Sequence, residues 1–173
     1  MSLKHVIEIY DLLDDPHVDG NEVKAYLLEN GAKLIEVSRV DGDKGYTDFI
    51  KITIPGENGK IKGGNAPTLG VAGRLGGIGA RPEVIGLVSD GDGAVAALSI
   101  AAKLSKMNER GDILPGDVIV GTHICPIAPT LPHEPVPFMD SPVDMDAMNK
   151  YEVDNSMDAV FSIDTTKGNR IIN

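Results

Sequence analysis

A chain of 173 residues is long enough for one compact domain, and its apolar content is mostly aliphatic, with no Trp. A formal net charge of −10 and a pI near 4.7 disfavour nucleic acid and acidic membranes as partners, because both attract clustered Lys and Arg. The single cysteine, Cys125, excludes an internal disulfide, and no stretch is typical of a signal peptide or a membrane span, so we expect a cytoplasmic protein.

Two helices are predicted at the start of the chain. Apolar residues recur at helical spacing over 6–13, and Pro16 stops that helix. Asp19, followed three residues later by Glu22, forms a capping box for a second helix, and Gly31 provides its left-handed terminator.

A pair of strands is predicted next. Residues 34–40 are rich in β-branched side chains, and residues 49–54 alternate apolar with polar ones. We expect the two strands to pair through the turn at 41–45, and the polar, glycine-rich segment 56–64 to form a surface loop.

The middle of the chain shows the clearest alternation of strand and helix. Strands are predicted over 68–72 and 84–88, and a further buried strand over 118–120. Between the last two, a helix carries an Ala-rich face from Ala94 to Leu104, and these small side chains allow close packing on a sheet.

The last third of the chain begins with the proline-rich segment 126–142, which is too interrupted for helix or sheet. Asp144 caps a short helix that runs through Tyr151. Residues 159–163 form a last strand that ends at Asp164.

These elements predict one three-layer α/β domain over residues 1–173, with helices on a central mixed β-sheet. A glycine turn at Lys167-Gly168 would normally lead into more sheet, which favours a fragment of a longer protein over a complete short chain.

Three predicted strands end in side chains that bind metals. These side chains are Asp90, His123 and Asp164. Ligands of open α/β sheets gather outside the carboxyl ends of the strands, so the three side chains can converge on one divalent cation. Mixed nitrogen and oxygen ligation suits Zn, Mn or Fe(II) better than Ca.

Each of these residues also has a structural interpretation. Asp90 can instead cap the helix that begins near Gly93, and His123 can be a satisfied, non-ligating histidine. Cys125, close to His123, is typical of a small buried hydrophobe.

The glycine-rich stretch 73–79 offers a second kind of site. Backbone amides around Gly76 and Gly77 can form an anion nest, and Arg74 and Arg81 add positive charge. The alternative is a tight turn that needs glycine for backbone reasons, since neither the P-loop lysine motif nor a dinucleotide-binding glycine motif is present.

Three histidines lie outside these motifs. His133 and Glu134 lie among prolines and form either a solvent-facing loop or the wall of a pocket. His5 and His17 have no partner nearby in sequence and are predicted to lie on the surface.

Several motifs together span most of the chain: 47–51, 64–68, 73–82, Thr122-His123-Ile124-Cys125-Pro126, 132–142 and 162–170. In these motifs the chain resembles a bacterial and archaeal family known as domain of unknown function 1177. Members of that family are longer, which again implies a fragment, and the family label implies no activity.

A remoter resemblance is to the co-catalytic zinc aminopeptidases of the glutamyl-aminopeptidase-like, tetrahedral group. Asp90 before its helix resembles their metal-bridging aspartate, and Asp164 resembles a later aspartate ligand. The resemblance implies a phosphorylase/hydrolase-like fold. Two departures stand against an intact two-zinc site: Arg74-Leu75-Gly76 replaces their His-x-Asp pair, and His123-Ile124 replaces their Glu-Glu pair.

The sequence therefore leaves two functions open. The first is a metal-dependent hydrolase of amide or peptide-like bonds, with Asp90, His123 and Asp164 as altered ligands and His133 or Glu134 as proton acceptor. The second is a non-catalytic domain that binds a small anion at Arg74, Gly76, Gly77 and Arg81. Either can be a homo-oligomer.

Overall fold

The computed structural model describes residues 2–15, 17–80, 84–89, 91–132, 134 and 138–164. The helices are α1 (Ser2–Leu13), α2 (Gly20–Glu29), α3 (Asp92–Glu109) and α4 (Met145–Glu152), with a 3₁₀ helix at Lys60–Lys62. The strands are β1 (Leu34–Gly42), β2 (Gly45–Ile54), β3 (Leu69–Arg74), β4 (Gly77–Ala80), β5 (Val84–Ser89), β6 (Val118–Ile127), β7 (Thr130–Leu131), β8 (Phe138–Met139) and β9 (Ala159–Asp164).

A mixed β-sheet forms the centre of the molecule. Its main path has the order β1-β2-β6-β3-β9, in which β1, β2 and β6 are antiparallel neighbours and β3 runs parallel to both β6 and β9. β4 continues the sheet from β3, parallel to β6 and antiparallel to β5. The predicted α/β fold with a central mixed sheet is confirmed.

Helices cover both faces of this sheet. Alternating side chains of β2, β3 and β6 pack with α1, α2 and α3 into one hydrophobic core that includes Ile52, Val71, Leu98 and Val120. α4 lies on the opposite face, so close to β6 that a Cβ on Gly121 would stand 2.4 Å from the Glu152 carbonyl oxygen. The result is a three-layer arrangement.

The predicted local elements form for the predicted local reasons. Asp19 accepts hydrogen bonds from Asn21 N and Glu22 N at the start of α2, and Asp144 accepts one from Ala147 N at the start of α4. β1 and β2 form the expected hairpin, with Gly42 opposite Gly45.

Three predictions need correction. The glycine-rich stretch 73–79 is not wholly a loop, because β4 begins at Gly77 and pairs with β5 and β6. The segment 126–142 contains the two short paired strands β7 and β8. His5 is buried, with 5% of its surface exposed, because α1 packs against α2 and α3.

Within the described residues, no helix is both long and apolar enough to cross a membrane.

Candidate functional site

The sheet register brings His123, Arg74 and Asp164 into one row. Gly73 of β3 lies opposite Thr122 of β6, so Arg74 and His123 are neighbours one residue further along; Arg74 also pairs with Asp164 of β9. Adjacent strands are about 4.8 Å apart, which separates the Cα atoms of His123 and Asp164 by about 10 Å. Arg74 stands between the two predicted metal ligands.

A chain of polar contacts joins this row to α4. Arg74 Nε donates to Glu152 Oε2 over 2.6 Å, and Arg74 Nη2 donates to Asn149 Oδ1 over 2.7 Å. The other carboxylate oxygen, Glu152 Oε1, contacts His123 Nδ1. Glu152 accepts from a guanidinium and is best stabilised as a carboxylate, so His123 Nδ1 carries the hydrogen and donates it. This leaves His123 Nε2 with a lone pair.

The contacts between Arg74, Glu152 and His123 lie almost wholly inside the protein. The Glu152 side chain is 0% exposed, that of His123 is 1% exposed and that of Arg74 is 16% exposed. Buried charges persist only when they are paired and hydrogen-bonded, and here one carboxylate serves two partners. Removal of any one of these three side chains would leave a buried polar group without its partner and would lower the stability of the fold.

Aromatic rings form one wall of this site. The Phe49 ring lies 5.7 Å from the His123 ring, tilted by 55°, and Tyr151 of α4 stacks on Phe49 at 4.7 Å. Apolar walls lower the local polarity, which strengthens the electrostatic contacts beside them.

Cys125 lies on the same face of β6 as His123 and is also buried. Its Sγ is 3.3 Å from the Thr47 hydroxyl, and burial raises the pKa of the thiol to about 11. Cys125 therefore stays protonated near neutral pH, which does not suit a nucleophile or a thiolate metal ligand.

The glycines after Arg74 allow the backbone to approach β6. A Cβ on Gly76 would lie 1.8 Å from the His123 carbonyl oxygen, and Gly76 O accepts a hydrogen bond from Cys125 N over 2.8 Å. Gly77 pairs directly with Cys125 and Ser89. Close backbone packing therefore explains Gly76. Arg81, the second predicted anion-binding arginine, lies outside the described residues.

The predicted metal triad is only partly visible. Asp164 is exposed at the end of β9, His123 is buried beside Arg74, and Asp90 lies outside the described residues. Ser89, which precedes Asp90, pairs with Gly77 of β4. Gly77 follows Arg74 by three residues in the sequence. Among the described residues, no three His, Cys, Asp or Glu side chains could hold a metal ion. Asp90 is not one of the described residues, so a triad that contains Asp90 is not tested by this observation.

The family model described as "Protein of unknown function (DUF1177)" matches residues 38–173. The chain belongs to the DUF1177 family. The match begins within β1 and continues through β9, so it includes every residue of the row and of α4. No curated protein matches the chain.

Among solved structures, the DUF1177 chain is similar to the "Bottromycin maturation enzyme BotP". The two share 16% sequence identity, with a TM-score of 0.40. The similarity covers 69% of this chain and 29% of that enzyme, so the DUF1177 chain spans less than a third of BotP's length.

A cavity of about 520 Å³ opens beyond the carboxyl end of β6. Its walls are the β1–β2 turn, residues 129–131 and 140–142 of the proline-rich segment, and residues 143–144 that follow this segment. Glu134 of this segment is exposed, and His133 lies outside the described residues. β6 ends at Ile127, four residues or about 13 Å past His123. The proline-rich segment thus contributes to the walls of this cavity, but Glu134 is not among the lining residues. The choice between the two expected roles of His133 and Glu134 stays a prediction.

Sequence reasoning missed Glu152 and Asn149, the residues of α4 that contact the row. A signal was present: Met148 and Glu152 are four residues apart, and both are buried on the same side of α4. A carboxylate on the apolar face of a short amphipathic helix indicates a buried cationic or imidazole partner.

Proposed function

We propose that the DUF1177 chain is a metal-dependent hydrolase of amide or peptide-like bonds with an altered ligand set. The observation that carries the proposal is the pairing of the buried His123 Nδ1, within β6, with the Glu152 carboxylate of α4. Metal-ligating histidines almost always donate their second ring N–H to a carboxylate, a carbonyl or a water. His123 is arranged in this way, with Nε2 as the ligating atom.

The donor set suits a transition metal. His123 would supply an imidazole nitrogen, and Asp164 and Asp90 would supply carboxylate oxygens, a combination favoured by Zn, Mn or Fe(II). When bound, such a metal lowers the pKa of a coordinated water and polarises a carbonyl.

The residues of the chain prepare the site. Glu152 fixes the tautomer and the orientation of the His123 ring, and Arg74 holds the Glu152 carboxylate in place through the 2.6 Å contact of its Nε. Arg74-Leu75-Gly76 stands where the zinc aminopeptidases of the remote resemblance have their His-x-Asp pair. The guanidinium then supplies positive charge at the position of a second cation, which leaves a one-metal site.

The 520 Å³ cavity is the proposed substrate pocket. Its volume lies within the range of about 300–1,000 Å³ that is common for small-molecule sites. The proposed proton acceptor is Glu134 or His133, whose proline-rich segment contributes residues 129–131 and 140–142 to the walls of this cavity.

Metal analysis after dialysis against Zn²⁺, Mn²⁺ or Fe²⁺ tests the proposal. We expect one ion per chain in the wild type and in His17→Ala, which removes an exposed histidine as a matched control. We expect loss of the ion in His123→Ala and in Asp90→Ala. Asp164→Ala should also lose the ion, and because Asp164 lies at an exposed strand end, this variant carries little risk of misfolding. Equal metal content in all variants would exclude this metal site.

A second measurement concerns activity. Release of nitroaniline from aminoacyl and N-acylated anilides should depend on added metal and should fall in Glu134→Gln or His133→Gln. Hydrolysis that persists in the metal-free chain would contradict the proposed mechanism.

One observation favours the alternative, a domain that binds a small anion. Arg74 occupies the middle of the row, and its Nη1 makes no hydrogen bond to the described part of the chain. Absence of metal together with carboxylate binding that Arg74→Gln abolishes, and Arg39→Gln does not, would support the binder over the hydrolase.

A further inference from the structure

A small cavity lined by basic side chains lies between α1 and α3. Its volume is about 120 Å³, and its lining includes Lys4, His5, Asn30, Lys103, Lys106 and Arg110. We call it the basic cavity.

The basic cavity is separate from the candidate functional site. α3 has 18 residues, a length of about 27 Å, and the cavity lies at its carboxyl end. Its other end, at Asp92 and Gly93, approaches Arg74. α3 also packs on the face of the sheet opposite α4.

The charge around this cavity is unusual for the chain. The protein has a net charge of −10 and only 16 Lys and Arg residues, four of which line this one cavity. Lys4 pairs with Glu8 over 3.4 Å, and Lys106 pairs with Glu109 over 2.6 Å. Lys103 and Arg110 have no ion-pair partner among the described residues, so the lining carries an excess of positive charge.

Helix capping does not require these cations. Lys and Arg often accumulate near helix carboxyl ends, where they interact with free carbonyl groups. Here the backbone binds those carbonyls: Ala32 N donates to Leu27 O after α2, and Asp112 N donates to Met107 O after α3. Each helix ends at a glycine with positive φ, 87° at Gly31 and 86° at Gly111. The cationic groups remain available to a ligand.

His5 adds a buried polar group to the lining. It is 5% exposed, and its Nδ1 is 3.3 Å from the Tyr26 hydroxyl, which itself donates to Glu8 Oε2 over 3.0 Å. Because the Tyr26 hydrogen is used in that bond, His5 Nδ1 is the donor to the hydroxyl oxygen. The ring is thereby held in a fixed orientation at the cavity wall.

We propose that the basic cavity binds a small multivalent oxyanion of the phosphate class. Multiple Lys and Arg donors around one point favour charge-assisted hydrogen bonds to such an anion, which also offsets the excess positive charge that Lys103 and Arg110 give the lining. The volume equals that of about four waters at about 30 Å³ each, enough for one phosphate group. It is well below the range of about 300 Å³ and more that a drug-sized ligand needs.

Calorimetric titration of the full chain with inorganic phosphate at constant ionic strength tests this assignment. We expect saturable binding that weakens by about tenfold or more in Lys103→Ala/Arg110→Ala, since two charged donors are lost. The control Lys24→Ala/Lys62→Ala removes the same charge from residues that line neither the basic cavity nor the proposed substrate pocket. It should bind phosphate as the wild type does.

Amide NMR shifts locate the bound anion. Phosphate should shift the signals of Lys4, His5, Lys103 and Arg110, and those shifts do not depend on whether the candidate site binds a metal. Shifts confined to Arg74 and His123, equal weakening in both double variants, or no saturable binding would each overturn the proposal. Equal affinity for glycerol phosphate would assign the cavity to phosphomonoesters, and binding of phosphate alone would assign it to the free ion.

Discussion

Two buried carboxylates pair with arginine on opposite faces of the same sheet. On the α2 face, Arg39 Nε and Nη2 donate to the two oxygens of Asp48 over 2.7 and 2.8 Å. On the α4 face, Arg74 Nε donates to one oxygen of Glu152 over 2.6 Å. Asp48 is 1% exposed and Glu152 is 0% exposed, so both carboxylates depend on their partners.

The two pairs differ in what else the carboxylate holds. Asp48 Oδ2 accepts from Gly20 N over 2.8 Å, which attaches the start of α2 to β2. Glu152 Oε1 instead accepts from an imidazole, that of His123. The hydrogen bonds to the Asp48 carboxylate come only from backbone and guanidinium groups, so the first pair is a structural anchor. The hydrogen bond to Asp48 raises the pKa of Arg39. The second orients a group that can bind a metal or a proton.

Position in the sheet accounts for this difference. Arg39 and Asp48 lie on the antiparallel pair β1 and β2, whereas Arg74 ends the parallel strand β3. Functional groups of α/β sheets collect at the carboxyl ends of parallel strands. A buried Arg–carboxylate pair alone therefore does not indicate a functional site. It does so when the pair also lies at the end of a parallel strand and the carboxylate also holds a group such as an imidazole.

The largest effect is expected when the arginines are removed in turn. Arg74→Ala should lower the free energy of unfolding by about 3–5 kcal/mol, because Glu152 would remain buried without its cation. Arg39→Ala should cost about 1–3 kcal/mol, because the Arg39 side chain is 43% exposed and water can replace it. Urea denaturation measures both, and equal losses would remove the distinction between the pairs.

Replacement of each carboxylate by its amide separates the structural role of Asp48 from the orienting role of Glu152. Glu152→Gln should weaken metal binding by about 10- to 100-fold, because the amide no longer accepts the His123 proton as strongly. Asp48→Asn should leave metal affinity unchanged although it lowers stability. Equilibrium dialysis provides both values, and an Asp48→Asn variant with equally weakened metal binding would argue against an orienting role.

The reactivity of the Cys125 thiol measures how well the α4 face of the sheet is shielded from solvent. Its pKa of about 11 leaves about 0.1% of the thiol ionised at pH 8, so reaction with a disulfide reagent should be about 100-fold slower than for a free cysteine. The denatured chain should react at the ordinary rate and supply one thiol per chain. Fast reaction of the native protein would show that the region around His123 opens readily.

The smallest effect concerns the second buried histidine, His5. Burial lowers its pKa below 6.5; Lys4 and Lys103 act in the same direction, and Glu8 acts against them. The folded state therefore binds the His5 proton less readily than the unfolded state, so stability should fall as the pH drops from 6.5 towards the lower folded-state pKa. His5→Gln should flatten this part of the profile and His17→Gln should not, as measured by thermal unfolding. An unchanged profile in His5→Gln would assign the pH dependence elsewhere.

The sequence by itself determined the local elements and the strands on which the predicted site residues lie. The caps at Asp19 and Asp144, the hairpin of β1 and β2 and the close-packing face of α3 follow from residues a few positions apart. The strand end at Asp164 was also found in this way, because strand periodicity is a local property. The predicted strand end at His123 was wrong, because β6 continues to Ile127 and places His123 within the strand.

Only the tertiary structure decided which side chains meet. Glu152 lies 29 residues from His123 and 78 from Arg74, and their contact depends on which face α4 turns to the sheet. The burial of His5 likewise depends on α1 packing against helices far along the chain. Such contacts are set by packing and strand register between distant segments, and no local pattern of residues specifies them.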